Sequence, residues 1–326
     1  MLEIMPESTP QHADNPVLII AGPTGSGKSA LAVAAAEEFG GVVINADSMQ
    51  IYQNLRVLTS RPSEEDEARV PHRLFGVVPA ASPCSVGVWL RMATREIEAA
   101  WAEMLLPIVT GGTGLYIKAL TEGLAPVPDI PEAARAEARA EFLRLGGPAF
   151  LEELAKLDPE TAARVPASDG QRLVRAYEVV RATGRTLPEW QRQPAAKPPL
   201  AARFHTVVLM PPRQALYSRL DARFDTMLAV GAVDEAKRLT ELSLDPKLPA
   251  MKALGVSELA EYLRGEASLD AAAAAAKQAT RNYAKRQMTW LRHQLEGATE
   301  VPEQYSERLR DKIFPIIRQM LLTPRS

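Results

Sequence analysis

The feature that most constrains the fold of this chain is a glycine-rich turn between an apolar and an alanine-rich segment, at residues 17–39, VLIIAGPTGSGKSALAVAAAEEF. Residues 22–29 within it match G-x-x-x-x-G-K-[ST], the pattern of phosphate-binding loops. The flanking residues predict a buried strand over 17–21 and a helix over about 27–39, which is the context in which such loops occur. The turn therefore predicts a parallel α/β sheet with an anion site at the end of its first strand.

The residue types in this loop suit phosphate binding. The glycines let backbone N–H groups converge on an anion, because no side chain blocks their approach. Lys28 can reach a terminal phosphate, and the Ser29 hydroxyl can ligate Mg²⁺. The candidate residues are Gly22, Pro23, Thr24, Gly25, Ser26, Gly27, Lys28 and Ser29. The loop alone does not indicate which phosphate compound it holds.

Two further predicted strands end in residues that could complete the site. GVVINAD at 41–47 predicts a second buried strand with Asp47 at its carboxyl end, the edge where ligands bind in doubly wound sheets. Asp47 could instead open a turn or cap the residues after it. The segment 105–120 predicts a strand, a glycine turn containing Thr113 and the start of a helix. An ordinary ATPase has a carboxylate at that turn to help hold Mg²⁺, so its absence argues against ATP hydrolysis.

Composition indicates a globular cytoplasmic protein. Hydrophobic residues make up 46% of the chain and charged residues 24%. No run of 18 apolar residues predicts a membrane span. The single cysteine, Cys84, excludes an internal disulfide and suits a reducing compartment. Residues 1–16 lack the basic start and apolar run of a signal peptide, and we expect a disordered tail there.

Proline-rich segments at 125–131 and 193–200 enclose a region rich in alanine, glutamate and arginine. Helical patterns in this region cover residues 131–145, 148–156, 159–164 and 170–182. Residues 52–76, which are polar and interrupted by prolines, predict a surface excursion. The predicted organisation is a tail over 1–16, a discontinuous P-loop core domain over 17–125 and 203–326, and an inserted all-helical subdomain over 126–202.

Two later helices carry basic residues. A helix over 213–229 carries Arg219 and Arg223 one turn apart and could lower an arginine onto the phosphates, or it could be a surface helix whose arginines pair with its own aspartates. A helix over 270–295 carries five cations and no acidic residue between positions 277 and 293, in a chain of net charge −2. Such an asymmetry favours a phosphate backbone as partner, although a charge run is usually a solvated face. The five cations are Lys277, Arg281, Lys285, Arg286 and Arg292.

Eight sequence blocks, in order, resemble the bacterial tRNA dimethylallyltransferase family, whose members are also called tRNA isopentenyltransferases. The blocks are GPTGSGKS at 22–29, INADSMQIY at 44–52, PHRL at 71–74, GGTGLYIKAL at 111–120, DGQRLVRAYEV at 169–179, RFDTML at 223–228, MKALGVSEL at 251–259 and TRNYAKRQMTWLR at 280–292. The resemblance implies transfer of a dimethylallyl group from dimethylallyl diphosphate to the exocyclic N6 of adenosine 37, beside the tRNA anticodon. The loop would then hold the diphosphate of an isoprenoid.

The resemblance also implies roles for individual residues. Asp47 is expected to be the base that takes the amine proton, and Thr113 to contact the diphosphate near the breaking bond. Lys28, Arg223 and Mg²⁺ on Ser29 are expected to stabilise the leaving diphosphate. The implied tRNA contacts are Asp47, Ser48, Met49, Gln50, Thr113, Arg135, Gln171, Arg172, Leu173, Val174 and Arg175, to which the basic helix adds Arg281, Lys285 and Arg286.

Two other classes of function remain open on the sequence. A small-molecule kinase using ATP would employ Asp47 to deprotonate a hydroxyl, but it also needs a second acidic magnesium ligand, which we do not find. A nucleic-acid-binding ATP switch needs a nucleotide-sensing residue that the sequence does not show. The expected partners are therefore the anticodon stem-loop of tRNA, dimethylallyl diphosphate and Mg²⁺, with no membrane. A monomer is the default expectation.

Overall fold

The computed structural model describes residues 15–193, 198–295 and 297–322. The tail predicted over 1–16 lies outside this part of the chain except for its last two residues. Within the described residues, parallel strands form a single six-stranded sheet in the order β3-β2-β4-β1-β5-β6. The strands are β1 (Pro16–Ala21), β2 (Gly41–Asn45), β3 (His72–Arg73), β4 (Leu106–Gly111), β5 (Arg203–Leu209) and β6 (Thr299–Val301).

Helices connect these strands, and those in the same unit as the sheet cover both of its faces. They are α1 (Lys28–Phe39), α2 (Glu64–Arg69), α3 (Val86–Ala102), α4 (Gly114–Glu122), α5 (Glu132–Leu157), α6 (Pro159–Arg164), α7 (Gly170–Thr183), α8 (Leu187–Gln191), α9 (Arg213–Ala229), α10 (Ala232–Glu241), α11 (Val256–Leu263), α12 (Leu269–Gln294) and α13 (Arg310–Leu322). In the described part of the chain, none of these helices is both long and apolar enough to cross a membrane.

The central strand β1 explains where the site lies. Val17 and Ile19 pack into one hydrophobic cluster and Leu18 and Ile20 into another, as expected of a parallel strand buried on both faces. The strand pairs with β4 on one side and with β5 on the other. Because the chain order reverses across β1, the carboxyl ends of these strands border a crevice of the kind that binds ligands. The parallel α/β fold expected from the sequence is confirmed.

Two compact units make up the chain. One contains the described residues up to Thr121 and from Pro199 onward, and it holds the sheet. The other, Glu122–Pro198, contains α5 to α8 around a small core of Phe150, Leu154, Leu173 and Ala176. Within α5, Gly146 has a φ of 74°, which breaks the helix between the segments predicted over 131–145 and 148–156.

The prediction of a surface excursion over residues 52–76 is wrong in part. Tyr52 and Leu55 are fully buried, and Leu58 is nearly so. Two residues of this segment form β3, which pairs with β2 at the edge of the sheet. A polar strand of two residues has no hydrophobic period, so the sequence pattern did not reveal it. The segments that carried no prediction contain α10, β6 and α13.

Candidate active site

The phosphate loop leads into α1, and the segment after β6 donates hydrogen bonds to it. Gly25 and Gly27 have φ values of 82° and 87°, in the left-handed region that favours glycine. A Cβ on Gly27 would lie 2.7 Å from the Cβ of Tyr305. The backbone N–H of Tyr305 donates to the Ser26 carbonyl at 3.2 Å, and Gln304 Nε2 donates to the Gly25 carbonyl at 2.9 Å. Protein donors therefore occupy two loop carbonyls, which fixes the course of the loop.

Two cations lie at this loop, Lys28, which is buried, and Arg223, which is partly buried. Burial lowers the pKa of Lys28 to about 8, Asp47 opposes this shift, and Arg223 adds to it. Burial also lowers the pKa of Arg223 to about 10, with a further lowering by Arg219 and an opposing effect of Asp47. Arg223 Nη2 of α9 donates to Thr24 Oγ1 at 2.8 Å, so the α9 arginine does reach the loop. Because desolvated cations are costly, this arrangement favours a multiply charged anion as ligand.

Asp47 lies just after β2, in a turn that it helps to form. Its backbone N–H donates to Asn45 Oδ1 at 2.8 Å, and its own Oδ1 accepts from the Met49 N–H at 2.9 Å. Asn45 is fully buried, and its Nδ2 donates to the carbonyls of Asp47 and Leu74. Among the described residues, no hydrogen bond engages Oδ2 of Asp47. The turn therefore fixes the carboxylate through one oxygen and leaves the other able to accept a proton.

The glycine turn after β4 packs directly against the residues around Asp47. A Cβ on Gly111 would lie 2.1 Å from the carbonyl oxygen of Ala46. The Thr113 N–H donates to that carbonyl at 3.3 Å, and the Ser48 N–H donates to Thr113 Oγ1 at 3.0 Å. Close backbone contact thus explains the glycines at the place where an ATPase carries a carboxylate. It also brings Thr113 beside the Asp47 turn.

A cavity of about 250 Å³ opens between these segments. Its lining combines polar groups of the phosphate loop, of the Asp47 turn and of α9 with an apolar wall from α9 and the loop after β2. The polar residues that matter here are Thr24, Asp47, Ser48 and Arg223, and the apolar wall includes Met49, Leu58, Leu220, Phe224 and Met227. This arrangement suits a ligand that has both a charged and an apolar part.

Helix α12 contributes two site residues whose roles the sequence did not reveal. Tyr283 lines the cavity, and burial raises the pKa of its phenol, which therefore stays neutral. Gln287 is almost fully buried and bonds to both the phosphate loop and the glycine turn. The sequence did contain a sign of these roles. Thr280 and Gln287 are polar residues on the otherwise apolar buried face of α12, which includes Ala276, Ala284 and Leu291. A polar residue on such a face needs a buried partner.

Two of the five cations of α12 form ion pairs with aspartates, so the positive charge of this helix is partly compensated. Arg281 Nη1 lies 2.5 Å from Asp221 Oδ1, and Lys277 Nζ lies 2.6 Å from Asp225 Oδ1. Both aspartates belong to α9, so the compensating charges come from a segment distant in sequence. Lys285 and Arg286 are exposed. They, rather than Arg281, are the better candidates for contact with a phosphate backbone.

The helical unit holds the remaining predicted tRNA contacts. Gln171 and Arg172 are exposed at the start of α7, and Arg175 is partly exposed. Arg172 pairs with Asp169 and Arg175 with Glu178, each at 3.4 Å. The five residues from Gln171 to Arg175 were implied as a block, but the side chain of Leu173 is fully buried. Its prediction as a side-chain contact is wrong, because it fills the core of this unit.

Val174 and Arg135 are the other two implied tRNA contacts of this unit. Val174 is partly buried and packs against the core cluster of the unit. Arg135 is partly exposed on α5, and its Nε is buried without a hydrogen-bond partner among the described residues. Arg135 therefore has a donor that an added acceptor could engage.

A buried carboxylate anchors the loop that forms part of the cavity wall. Glu235 of α10 is 3% exposed, and it accepts hydrogen bonds from the backbone N–H groups of Arg56, Val57 and Leu58 at 2.7, 2.8 and 2.8 Å. Hydrogen bonds to a charged acceptor are stronger than neutral ones. Glu235 therefore holds Leu58 in place against the cavity.

We expect Glu235→Gln to lower the free energy of unfolding by about 2–3 kcal/mol, because an amide offers fewer acceptor sites and turns a donor toward these N–H groups. Urea denaturation followed by circular dichroism measures this change. Glu241→Gln, at an exposed position on the same helix, is the matched control and should leave the midpoint unchanged. Equal midpoints for the two variants would contradict the anchoring role.

Ser29 is the residue of the loop that could hold Mg²⁺. Ser29 is exposed in the first turn of α1. Among the described residues, no cluster of three or more His, Cys, Asp or Glu side chains has the arrangement of a metal site. Mg²⁺ is usually bound by one or two protein oxygens, water and substrate phosphates, so a single hydroxyl beside a diphosphate fits this ion.

Comparisons with known proteins agree with this geometry. The family model described as IPP transferase matches residues 50–294, and that described as isopentenyl transferase matches residues 15–75. A tRNA dimethylallyltransferase of Paramagnetospirillum magneticum is 54% identical over 308 residues, which cover 94% of this chain and 98% of that relative. One from Rhodospirillum centenum is 56% identical over 286 residues, covering 88% and 91%.

Solved structures give the same result. The tRNA isopentenylpyrophosphate transferase of Bacillus halodurans superposes with a TM-score of 0.69 at 30% identity, covering 94% of this chain and 97% of that one. A eukaryotic dimethylallyltransferase acting on tRNA gives a TM-score of 0.77 at 26% identity, covering 94% and 80%. The similarity therefore extends over most of the chain in both sequence and fold.

Proposed function

Because the chain belongs to the tRNA dimethylallyltransferase family, we propose that it transfers a dimethylallyl group from dimethylallyl diphosphate to N6 of adenosine 37 in tRNA. The products are N6-(dimethylallyl)adenosine and diphosphate. We further propose that the enzyme acts in the cytoplasm, as a monomer, on the anticodon stem-loop.

One observation carries this proposal. The lining of a single cavity includes Thr24, Arg223 and Asp47, so an anion-binding loop, a cation and a candidate base face the same space. Dimethylallyl diphosphate has an anionic part for the loop and a branched hydrocarbon part for the apolar wall. A kinase of the same loop type would also need an acidic residue after β4, where this chain has Gly111 and Gly112.

The acceptor needs help from a base. The N6 amine of adenine is a poor nucleophile, because its lone pair is delocalised into the ring. Asp47 accepts the amine proton as the new bond between N6 and the allylic carbon forms, and it orients the amine before that step. Its Oδ1 is held by the Met49 N–H at 2.9 Å, which fixes the direction of the carboxylate.

The leaving group needs electrostatic help. As the bond between the allylic carbon and oxygen breaks, negative charge grows on the diphosphate. Lys28 and Arg223 stabilise this charge from the loop side, and Thr113 is placed to contact the diphosphate beside the Asp47 turn. Ser29 would hold Mg²⁺, which neutralises part of the charge of the diphosphate when it is bound. The intact diphosphate departs, so no water molecule has to be activated.

The adenosine must leave the stack of the anticodon loop to reach Asp47. A single-stranded target makes this extrusion inexpensive. Ser48, Met49 and Gln50 follow Asp47 directly, and the first two line the cavity. We assign them to contact with the extruded base, and we assign Gln171 and Arg172 of α7 and Lys285 and Arg286 of α12 to the rest of the tRNA.

The proposal is tested by incubating purified protein with dimethylallyl diphosphate, Mg²⁺ and tRNA that lacks the modification. The tRNA is then digested, and its fragments are analysed by mass spectrometry. We expect a dimethylallyl group on the fragment that contains adenosine 37. An unmodified tRNA, or a group at another nucleoside, would contradict the proposal.

Contacts of α12 with tRNA give a prediction for salt dependence. We expect Lys285→Ala combined with Arg286→Ala to weaken tRNA binding and to reduce the slope of log K against log salt by about 1–2, because each phosphate contact releases counterions. Filter binding across a salt series measures the slope. Lys237→Ala with Arg238→Ala removes the same charge from exposed positions of α10 and should leave the slope unchanged. An equal reduction of the slope in both double variants would indicate that these α12 cations form a solvated surface and do not contact tRNA.

A further inference from the structure

Gln287 of α12 joins two segments of the candidate site through its side chain, which is 5% exposed. The Thr24 N–H donates to Oε1 at 2.8 Å, and Nε2 donates to the Gly112 carbonyl at 2.8 Å. These partners define the orientation of the amide, because only its oxygen can accept from an N–H and only its NH₂ can donate to a carbonyl. Gln287 thus bridges the phosphate loop and the glycine turn after β4.

Each end of this bridge adjoins a residue of the proposed reaction. At the loop, the hydroxyl of Thr24 accepts from Arg223 Nη2 at 2.8 Å. At the turn, Gly112 precedes Thr113, whose Oγ1 accepts from the Ser48 N–H at 3.0 Å. Ser48 follows Asp47. A continuous series of backbone and side-chain bonds therefore runs from the cation on the donor side to the turn that carries the base.

The glycine turn is shaped for this bridge. A Cβ on Gly112 would lie 2.2 Å from Gln287 Nε2 and 3.1 Å from the Gly22 carbonyl oxygen. Any side chain at that position would displace the amide and separate the loop from the turn. The amide of Gln287 thus occupies the space that a side chain on the turn would otherwise fill.

We propose that Gln287 is a positioning residue that sets the separation between the diphosphate cradle and Asp47, a role that rests on the proposed function. Reacting atoms must approach to about 3–3.5 Å, and a misplacement of about 1 Å can lower the rate 10²-fold. Protein backbone groups already engage the oxygen and the NH₂ of the amide. The loss of Gln287 should therefore lower kcat more than it raises KM for either substrate.

Two substitutions separate this role from simple packing. Gln287→Glu keeps an acceptor for the Thr24 N–H but, when ionised, sets a carboxylate against the Gly112 carbonyl. When protonated, the same carboxyl can donate to that carbonyl, and burial favours this form by raising its pKa. Gln287→Met fills a similar volume and makes neither bond.

The experiment measures kcat and KM for the wild type and both variants from about pH 8 to about pH 5.5. We expect Gln287→Glu to lower kcat by about 10²-fold at the upper pH, and its kcat relative to the wild type to recover at least about tenfold at the lower pH. Gln287→Met should also have a lower kcat, but the ratio of its kcat to that of the wild type should be the same at every pH. Gln294→Glu and Gln294→Met, at an exposed position near the end of the same helix, are the matched controls and should keep the wild-type kcat.

Three results would overturn the positioning role. One is a wild-type kcat in both Gln287 variants, and another is a Gln287→Glu ratio that stays flat with pH. The third is loss of the thermal unfolding transition in both variants, which would make Gln287 a requirement of the fold. Failure of the proposed function is distinct, because the wild type itself would then transfer no dimethylallyl group.

Discussion

Asp47→Asn is expected to lower kcat for transfer by about 10³-fold, within the usual range for loss of a general base. The amide keeps an oxygen that can accept from the Met49 N–H, a bond of 2.9 Å in the wild type, so the turn should persist. Affinity for tRNA should be unchanged. Affinity for the diphosphate donor should not fall, because the substitution removes a negative charge that interacts with Lys28 and Arg223. Steady-state kinetics with both substrates varied measure these quantities.

Asp245→Asn is the matched control for this experiment. Asp245 is exposed, and its Oδ1 also accepts from a backbone N–H two residues later, that of Lys247 at 2.8 Å. The control therefore makes the same chemical change in the same kind of turn, and it should keep the wild-type kcat. Near-normal turnover of Asp47→Asn would remove Asp47 from the role of base. A parallel loss of tRNA binding would assign it to recognition instead.

Arg223→Gln is expected to lower kcat/KM by about 10²–10³-fold, which is the usual cost of removing one donor to a developing oxyanion. Arg223 has a pKa lowered to about 10 by burial, so it is still protonated at neutral pH and carries its full charge to the diphosphate. Arg223→Lys should fall between the wild type and Arg223→Gln, because an ammonium keeps the charge but lacks the planar donor set that reaches Thr24.

Arg219→Gln provides the comparison for Arg223. Arg219 lies one turn earlier on α9, is exposed, and is close enough to lower the pKa of Arg223. Its loss removes the same charge from the same helix without removing a group from the cavity. We expect it to retain kcat/KM within about threefold, since exposed charges interact weakly. Equal losses for the two variants would show that the site responds to net charge alone.

Local patterns in the sequence carry most of the fold and part of the site. The apolar run before Gly22 has the length and residue types of a buried strand, and the alanine-rich run after Lys28 has those of a helix. The loop between them matches a motif whose chemistry depends on backbone geometry. Asp47 could be placed because the carboxyl ends of parallel strands meet at one edge of the sheet.

Contacts between segments distant in sequence could not be predicted in this way. Asp221 and Asp225 neutralise cations of α12, although each aspartate looks like a surface residue of its own helix. Glu235 is a buried anchor, yet its sequence context is that of an ordinary charged helix. Gln287 stands out in the sequence as a polar residue on a buried stripe, but its bridging role is recognisable only once both of its backbone partners are placed. In each case the tertiary structure determines the partner, and hydrophobic periodicity reports only local structure. It therefore cannot predict these contacts.

The same limit applies to Leu173. Its block resembles a tRNA-contacting segment of the family, but a resemblance of sequence does not distinguish the residues that face the RNA from those that hold the helix. In the structure, Leu173 is fully buried in the helical unit, whereas its neighbours Gln171 and Arg172 are exposed on the surface. Burial therefore divides one sequence block into exposed residues, which could contact RNA, and core residues.

Under the proposed function, the phosphate loop holds the donor of a dimethylallyl group and not a nucleotide. One reaction tests it directly, with unmodified tRNA, Mg²⁺, dimethylallyl diphosphate labelled in its hydrocarbon part and ATP labelled in its terminal phosphate. We expect the hydrocarbon label to enter tRNA with release of one diphosphate for each group transferred, while the ATP label stays in ATP. Consumption of ATP without any hydrocarbon label in the tRNA would contradict this account.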